Sequence, residues 1–372
     1  MGKMRAAQSK LQRLLVFMGS AALFLSSCQT RQSEVADPVE TAVAPELGVE
    51  PNQMKSVEPV SGPVAIVPLV KSKKPTPKAA GIFKQADQLG ARVTEKGDGV
   101  WLIEKGERRF ELREQSRQAI LNGTVVYLNE VFAEKEGNFA LSDSDFENTL
   151  CPALDPPEIV LRSKTVAIDP GHGGAEPGSV NRSLSILEKD LNLDVSLRLQ
   201  KMMEENGFKV VLTRYNDRLV PLEDRSQIAN RSNAGVFVSI HFNAALNKEA
   251  SGVETYLLTP KNSASSNDDV IGSSEPSYRG NQTDLLNFEL GYRVQSRLIA
   301  DLQRVDRGIK KARFKVLKDL ECPGLLIECG FLSHGKEAPL INTPLYRQKL
   351  AESLSHSLTS ILMTGRIVSS DQ

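Results

Sequence analysis

Residues 165–174 read Thr-Val-Ala-Ile-Asp-Pro-Gly-His-Gly-Gly, an apolar run that ends in an aspartate and a glycine-rich turn. A continuous run of small and β-branched residues is typical of a strand that is buried on both faces. Within residues 187–206, positions 187, 191, 195 and 199 carry leucine or valine, and Gly207 follows, which predicts an amphipathic helix. A strand, a turn and a helix in this order indicate the first βα unit of a parallel sheet.

The same alternation of strands and helices continues towards the C-terminus. Strands are predicted at 210–213, 236–240, 252–258 and 324–327, and helices at 222–232, 285–305 and 346–363. Valine- and isoleucine-rich strands that alternate with amphipathic helices pack best as a sheet covered on both faces. We therefore predict an α/β fold for residues 156–365, with a mostly parallel, twisted sheet flanked by helices.

Residues 81–155 have a different pattern. Short strand-like runs at 100–103, 109–112 and 125–128 are separated by turns that contain glycine, and Asn122-Gly123 is typical of a hairpin turn. This pattern predicts a small β-rich domain that precedes the α/β domain. Its role is unknown, and spacing or positioning is the role we expect.

The N-terminal 27 residues have the order of a secretory signal peptide: basic residues, about a dozen mostly apolar residues, and two serines. Residues 25–28, Leu-Ser-Ser-Cys, resemble the bacterial lipoprotein box, which implies a diacylglyceryl group on Cys28 and stable membrane anchoring. An ordinary signal peptide with an incidental cysteine is the alternative. Gln29, in place of aspartate, favours the outer membrane, facing the periplasm. Residues 28–80 are rich in proline, which predicts an extended, disordered tether.

The composition excludes several classes of protein. The chain has 372 residues, and its 46 basic residues balance 46 acidic ones, whereas a nucleic-acid-binding protein needs an excess of Lys and Arg. Only the interrupted run 11–25 approaches the length of a membrane-spanning helix, so a multi-span membrane protein is excluded. The four cysteines form no CxxC pair, and neither a zinc ribbon nor a disulfide framework is indicated.

Polar residues collect where the predicted strands of the α/β domain end. His172 and His241 follow two strands, Glu188 begins a helix, and Glu328 lies in an apolar strand. Ligands of open α/β sheets bind beyond the carboxyl ends of the strands, so we expect these four residues to converge. Two imidazoles and one carboxylate suit Zn²⁺ with a position left for water, and a second carboxylate can transfer protons. The residues alone do not decide which glutamate has which role.

Structural roles are the alternative for each residue taken singly. A histidine after a strand is more often structural than a ligand. Glu188 is also explained as a first-turn carboxylate stabilised by the helix dipole, and Glu328 as part of a buried ion pair with an arginine such as Arg225. The glycine-rich loop matches no phosphate-binding pattern, because a GxGxxG motif that starts at Gly171 fails at Glu176.

Taken together, these segments resemble the zinc-dependent N-acetylmuramoyl-L-alanine amidases of the amidase-3 family. The matching stretches are 166–174, 187–193, 211–214, 222–225, 239–244, 252–256 and 328–333. The resemblance implies that His172, Glu188 and His241 bind Zn²⁺ and that Glu328 is the catalytic carboxylate. It also implies hydrolysis of the amide between the lactyl group of N-acetylmuramic acid and L-alanine in peptidoglycan, and divisome-type activator proteins as partners.

Two other functions stay open from the sequence. One is a zinc peptidase or deacetylase that acts on another bond of peptidoglycan with the same chemistry. The other is a non-catalytic, wall-binding lipoprotein, which would be expected to have lost a ligand or the base, yet all four residues are present. Some members of the family carry a helix that blocks the zinc site. Residues 261–284 lack helical apolar periodicity, so we predict a mobile loop and no such helix.

Overall fold

The computed structural model describes residues 80–135, 137–266 and 276–368. The predicted signal peptide, Cys28 and the tether up to residue 79 lie outside these ranges. Among the helices of the described residues, none combines the length and the apolar character that crossing a membrane requires. The described residues comprise the predicted β-rich region and nearly all of the predicted α/β region.

The β-rich region consists of a helix and five antiparallel strands. They are α1 (Ala80–Gln88), β1 (Arg92–Gly97), β2 (Val100–Lys105), β3 (Arg108–Arg113), β4 (Ser116–Leu121) and β5 (Thr124–Phe132). Asn122 and Gly123 form the predicted two-residue turn between β4 and β5, and both have positive φ angles. Trp101, Phe110 and Phe132 are buried on the face that α1 covers.

Short elements connect this region to the α/β region. A two-stranded hairpin pairs Glu134–Lys135 with Asn138–Phe139. A helical segment follows, made of Asp143–Asp145, Phe146–Leu150 and Cys151–Leu154.

The α/β region contains six strands of the main sheet and four long helices. They are β6 (Thr165–Pro170), α2 (Glu188–Glu205), β7 (Lys209–Leu212), α3 (Leu222–Arg231), β8 (Val236–Asn243), β9 (Val253–Leu258), α4 (Asp284–Leu302), β10 (Asp306–Ala312), β11 (Gly324–Phe331) and α5 (Pro344–Thr364). Short elements lie at Arg279–Thr283, Lys315–Lys318 and Glu337–Ile341, and short strand pairs at Val180–Asn181 with Ile186–Leu187 and at Val160–Leu161 with Arg366–Ile367. The predicted strands and long helices are confirmed to within a few residues.

Strand β10 was not predicted from the sequence. Its sequence, Asp-Arg-Gly-Ile-Lys-Lys-Ala, is too polar for an apolar strand pattern. Lys310 and Lys311 are nevertheless buried, because the Lys310 ammonium lies 2.6 Å from Glu254 and the Lys311 ammonium donates to Thr149 at 2.5 Å. Asp145, 3.9 Å from the Lys311 ammonium, supplies the opposite charge for the second lysine. These partners lie far away in the sequence and offset the cost of burying two charges.

All eleven strands belong to one mixed sheet, in the order β1-β2-β3-β4-β5-β10-β9-β11-β8-β6-β7. Within the α/β region every neighbouring pair is parallel except β9 with β11, which confirms the prediction of a mostly parallel sheet. Helices α2, α4 and α5 pack on one face, and α3 with Lys315–Lys318 packs on the other. The fold is therefore α/β, with the region of antiparallel strands before it.

The β-rich region is continuous with the α/β region. Strand β5 pairs in parallel with β10, and residues of both regions share one hydrophobic core. Arg108 of β3 also forms an ion pair of 3.1 Å with Glu289 of α4. The sequence pattern changes near residue 155, and the described residues on both sides of this point belong to one compact unit. The reason is that β10 would otherwise expose an unpaired edge, which β5 covers.

The strand directions place several strand ends at one edge of the sheet, and the candidate site lies there. The carboxyl ends of β6, β7, β8 and β11 lie at the same edge because these strands are parallel. Strand β9 runs against β11, and β10 runs with β9, so the amino ends of β9 and β10 lie at this edge too.

Candidate active site and metal centre

The glycine-rich loop after β6 brings the main chain close to neighbouring side chains. A Cβ atom added at Gly171 would lie 2.2 Å from the His241 ring, and one at Gly178 would lie 2.5 Å from Oε2 of Glu188. His172 itself has a φ of 59°, a left-handed conformation that few residues other than glycine adopt. The loop glycines therefore make room for the His241 ring and for Glu188, and the backbone places His172 beside them.

The structure brings His172, Glu188 and His241 together. Each offers one ligand atom, and these atoms all lie within 4.8 Å of one another. Nδ1 of His241 lies 2.8 Å from Oε1 of Glu188, and Nε2 of His172 lies 3.3 Å from Oε2. The two imidazole rings meet edge to face, with centroids 4.9 Å apart. These are the three ligand residues that the sequence resemblance implies.

Glu188 is held in place as an anion. The backbone N–H of Ser179 donates to Oε2 at 2.7 Å, and that of Phe242 donates to Oε1 at 3.1 Å. Burial would raise the pKa of Glu188, but hydrogen bonds and charge from His172 and His241 outweigh it and hold this pKa well below its ordinary value. A deprotonated carboxylate between two imidazoles is a suitable donor set for a divalent metal ion.

Glu328 occupies the strand next to this cluster. It is the Cα partner of His241 on β8 and, on its other side, of Glu254 on β9. Its Oε2 atom is buried and has no hydrogen-bond partner among the described residues. Burial, together with the charges of Glu188 and Glu254, raises the pKa of Glu328 well above its ordinary value. A carboxyl group with these properties beside a metal cluster is a candidate for proton transfer.

The alternative ion pair between Glu328 and Arg225 is wrong. Nη1 of Arg225 lies 2.8 Å from Oδ1 of Asp169, and both side chains are buried. Arg225 also donates to the carbonyl oxygens of Pro170 and His172, at 2.9 and 3.0 Å. Its charge therefore supports the loop that carries His172.

Asp169 anchors the end of β6, a role that the sequence analysis did not assign. Its carboxylate accepts hydrogen bonds from the hydroxyl groups of Thr213 and Ser239, at 2.5 and 2.7 Å, in addition to the ion pair with Arg225. The available signal was an acidic residue at the end of a fully apolar strand, since a buried carboxylate needs partners.

Arg214 and Asn192 fix the same loop from the other side. Arg214 donates to the carbonyl oxygens of Pro170, Gly171 and Lys189, at 2.9, 2.9 and 2.7 Å. Asn192 donates to the carbonyl oxygen of Gly171 at 3.1 Å and approaches Oε1 of Glu188 at 3.3 Å. These bonds satisfy the buried carbonyl groups of the loop and keep its conformation fixed.

A second polar cluster lies behind Glu328 and was also missed from the sequence. Oε2 of Glu254 lies 2.6 Å from the Lys310 ammonium and 3.0 Å from Nε of Arg307. Its Oε1 accepts hydrogen bonds from Asn243 at 2.8 Å and from the Tyr256 hydroxyl at 3.1 Å. The partners come from β8, β9 and β10, so only the order of strands in the sheet brings them together.

The remaining histidines lie outside the metal cluster. Nδ1 of His334 accepts the backbone N–H of Glu337 at 3.0 Å, and His356 on α5 contacts Arg297. Cys322 and Cys329 are free thiols.

The segment after β9 is described only in part. It includes a short 3₁₀ helix, Arg279–Thr283. Because β9 is antiparallel to β11, the segment leaves the sheet at the edge opposite the metal cluster. Residues 267–275 lie outside the described residues, so the absence of a blocking helix there stays a prediction.

Comparisons with known proteins identify the family of the chain. The family model described as N-acetylmuramoyl-L-alanine amidase (Amidase_3) matches residues 166–360, slightly more than half of the chain. Uncharacterized protein YqiI of Bacillus subtilis is 33% identical over 212 residues, which cover 57% of this chain and 91% of that protein.

Two amidases are also similar. N-acetylmuramoyl-L-alanine amidase LytC of Bacillus subtilis is 31% identical over 197 residues, or 53% of this chain and 35% of LytC, so the matched part spans about a third of that enzyme. The solved structure of an N-acetylmuramoyl-L-alanine amidase from Clostridium difficile 630 is 34% identical, with a TM-score of 0.45, and the match covers 54% of this chain and 98% of that one. By the extent of the family match, this chain belongs to the N-acetylmuramoyl-L-alanine amidase family Amidase_3.

Proposed function

We propose that this protein is a Zn²⁺-dependent peptidoglycan amidase. The bond it hydrolyses is the amide between the lactyl group of N-acetylmuramic acid and L-alanine. The observation that carries the proposal is the convergence of His172, Glu188 and His241, whose ligand atoms lie within 4.8 Å of one another, in a chain that belongs to the amidase family.

The donor set fits zinc better than it fits Ca²⁺ or Mg²⁺. Two imidazoles and one carboxylate form the three-residue shell of catalytic zinc sites, whereas Ca²⁺ and Mg²⁺ prefer oxygen ligands throughout. Gly171 and Gly178 leave the space that this arrangement needs, since a Cβ at either position would displace the ligand side chains. His172, Glu188 and His241 are therefore the residues that would hold the ion.

Zinc, when bound, supplies a Lewis acid that polarises the amide carbonyl and makes water acidic enough to react near neutral pH. Glu328 has the position and the burial of the residue that accepts the proton of the attacking water. It then returns this proton to the departing L-alanine nitrogen, so that the leaving group departs as a neutral amine. Asp169 and Arg225 take no part in proton transfer and hold the His172 loop in place.

Digestion of purified peptidoglycan sacculi tests this function. Mass spectrometry of the products is expected to show peptides with a free N-terminal L-alanine and glycan strands that have lost them. Products in which the muramyl–alanine linkage is intact, while another peptide or acetyl bond is broken, would instead identify a peptidase or a deacetylase. Binding to sacculi without any soluble product would identify a non-catalytic wall-binding protein.

We also propose that the protein is exported and anchored to a membrane through lipid on Cys28. The proposed location is the outer membrane, where the protein faces the periplasm. The order of basic, apolar and small residues before Cys28 supports this, and the proline-rich segment after it provides reach towards the wall. Metabolic labelling with a fatty-acid analogue is expected to mark the wild-type chain and not a Cys28→Ser variant. Labelling of both, or of neither, would contradict the proposal. Divisome-type activators remain predicted partners.

A further inference from the structure

Arg307 lies at the edge of the sheet that carries the metal cluster. It is the second residue of β10, whose amino end shares this edge with the carboxyl end of β11. Its Nε donates to Glu254 at 3.0 Å, and Glu254 is the cross-strand partner of Glu328. Antiparallel partners have Cα atoms about 5 Å apart. The guanidinium group therefore lies about one side-chain length from Glu328, the proposed base.

Two contacts fix the orientation of this guanidinium group. Nε is bonded to Glu254, and Cζ lies 4.8 Å above the ring of Phe331. An arginine that rests on an aromatic face and is bonded through Nε keeps its two terminal nitrogen atoms in a known direction. Those two atoms, Nη1 and Nη2, find no hydrogen-bond acceptor among the described residues, and 32% of the side chain is exposed.

Arg307 shares its carboxylate partner with a second cation. The Lys310 ammonium, whose side chain is 11% exposed, binds the same oxygen of Glu254 at 2.6 Å. Two cations therefore share one carboxylate. Lys310 is the closer and more buried partner, whereas Arg307 is the more exposed one and keeps two nitrogen atoms available for a ligand.

We propose that Arg307 binds a carboxylate of the peptide part of the substrate, namely the free carboxylate nearest the scissile amide. The inference rests on the proposed amidase function. The lactyl carboxyl of muramic acid is consumed in the scissile amide, and N-acetylated sugars carry no charge. A carboxylate at this distance therefore belongs to the second residue of the stem peptide, D-glutamate. A guanidinium group offers a carboxylate two parallel hydrogen bonds.

The other arginines near the site are committed elsewhere. Arg214 and Arg225 are buried and donate to loop carbonyl groups. Arg218 donates to the carbonyl of Thr213 and stacks on Tyr215. Arg304, which precedes β10, donates to the carbonyl of Leu302 and lies on no aromatic ring that the described residues provide. Arg304 therefore serves as a matched control of equal charge.

The test uses two synthetic substrates that differ in one group. Both are N-acetylmuramoyl-L-alanyl-D-glutamate with the γ-carboxyl blocked as a methylamide, and one has its α-carboxyl converted to a carboxamide. For the wild-type zinc enzyme we expect kcat/KM to be at least about tenfold higher for the free acid, as a charge-assisted hydrogen bond would give. Equal values for the two substrates would overturn the inference and leave the amidase function intact. Cleavage of neither substrate would contradict both.

The variants locate the preference at Arg307. Arg307→Gln is expected to cleave the two substrates at equal rates, close to the wild-type rate on the carboxamide, whereas Arg304→Gln keeps the wild-type preference. Arg307→Lys keeps the charge and loses the paired geometry, so an intermediate preference is expected. If Arg307→Gln slowed both substrates equally and kept the preference, Arg307 would have a structural role and the inference would be wrong.

Discussion

His241 and Glu328 are Cα partners in the parallel pair of β8 and β11. Partners in adjacent strands point to the same face of a sheet, so the carboxyl group of Glu328 lies next to the ring of a predicted metal ligand. On the other side of Glu328 lies Glu254 with its partner Lys310. The candidate base is thus placed between a metal cluster and a buried ion pair by strand register alone.

Replacing Glu328 by glutamine should abolish hydrolysis without loss of metal. The amide keeps the shape of the side chain but cannot accept the proton, and general base catalysis contributes about 10²- to 10⁴-fold. Zinc content, measured by atomic emission, is expected to stay near one ion per chain. Glu223→Gln, which changes an exposed glutamate paired with Lys315, is the control and should keep full activity. Persistent hydrolysis in Glu328→Gln would show that another group is the base.

Replacing His172 by alanine should remove the metal together with the activity. Two ligand residues hold zinc less tightly than three. Removal of a residue that only hydrogen-bonds to a ligand typically lowers metal affinity 10- to 100-fold, and loss of the ligand His172 should lower it by at least about this factor. Treatment of the wild-type protein with a chelator should give the same loss, reversed by added Zn²⁺. Full activity of a sample shown to contain no metal would contradict the zinc mechanism.

Gly178→Ala should damage the metal site more than the fold. Gly178 has a φ of 68°, and an added Cβ would lie 2.5 Å from Oε2 of Glu188 and 2.7 Å from the His172 ring. Gly90 has a similar φ of 63° with nothing within 4 Å of its Cβ position, so Gly90→Ala carries only the backbone cost of about 1 kcal/mol.

Both glycine variants should therefore lose similar thermal stability, and only Gly178→Ala should lose zinc affinity. Isothermal titration with Zn²⁺ and thermal unfolding of the metal-free proteins measure the two effects. Unchanged zinc affinity in Gly178→Ala would show that the side chains shift without cost.

Asp169→Asn should destabilise the protein strongly. The substitution leaves the buried Arg225 without its carboxylate, and removal of one partner of a buried ion pair costs about 3–5 kcal/mol. Denaturant unfolding of the metal-free protein measures this free energy. As the control, Glu158→Gln breaks the exposed pair with Arg366 and should cost far less, because water screens this pair. Similar losses in the two variants would contradict the anchoring role of Asp169.

Asp284→Asn should stabilise the protein at alkaline pH. Burial raises the pKa of Asp284 to about 7, while the ordinary value for aspartate applies when the chain is unfolded. The folded protein thus binds the proton more tightly than the unfolded chain, so Asp284 lowers stability progressively as the pH rises from about 4 to above 7. The melting temperature of the variant is expected to exceed that of the wild type at pH 8 and to match it at pH 4. No difference at pH 8 would mean that Asp284 ionises without penalty.

Local patterns in the sequence determined most of the fold. The apolar run 165–168 predicted β6, and the apolar residues at every fourth position from 187 to 199 predicted α2. The spacing of apolar residues along a strand or a helix determines which face of it is buried. The four predicted site residues follow from the rule that ligands bind where parallel strands end. Their roles were taken from the family resemblance and stay predictions.

Only the tertiary structure decided which groups the buried charges pair with. Arg225 pairs with Asp169 and not with Glu328, and the lysines of β10 are buried against Glu254 and Thr149. The sequence also gave no sign that β5 pairs with β10 and joins the antiparallel strands to the main sheet. A hydrophobic period is a property of neighbouring residues, whereas an ion pair or a strand pairing depends on which distant segments the folded chain brings into contact.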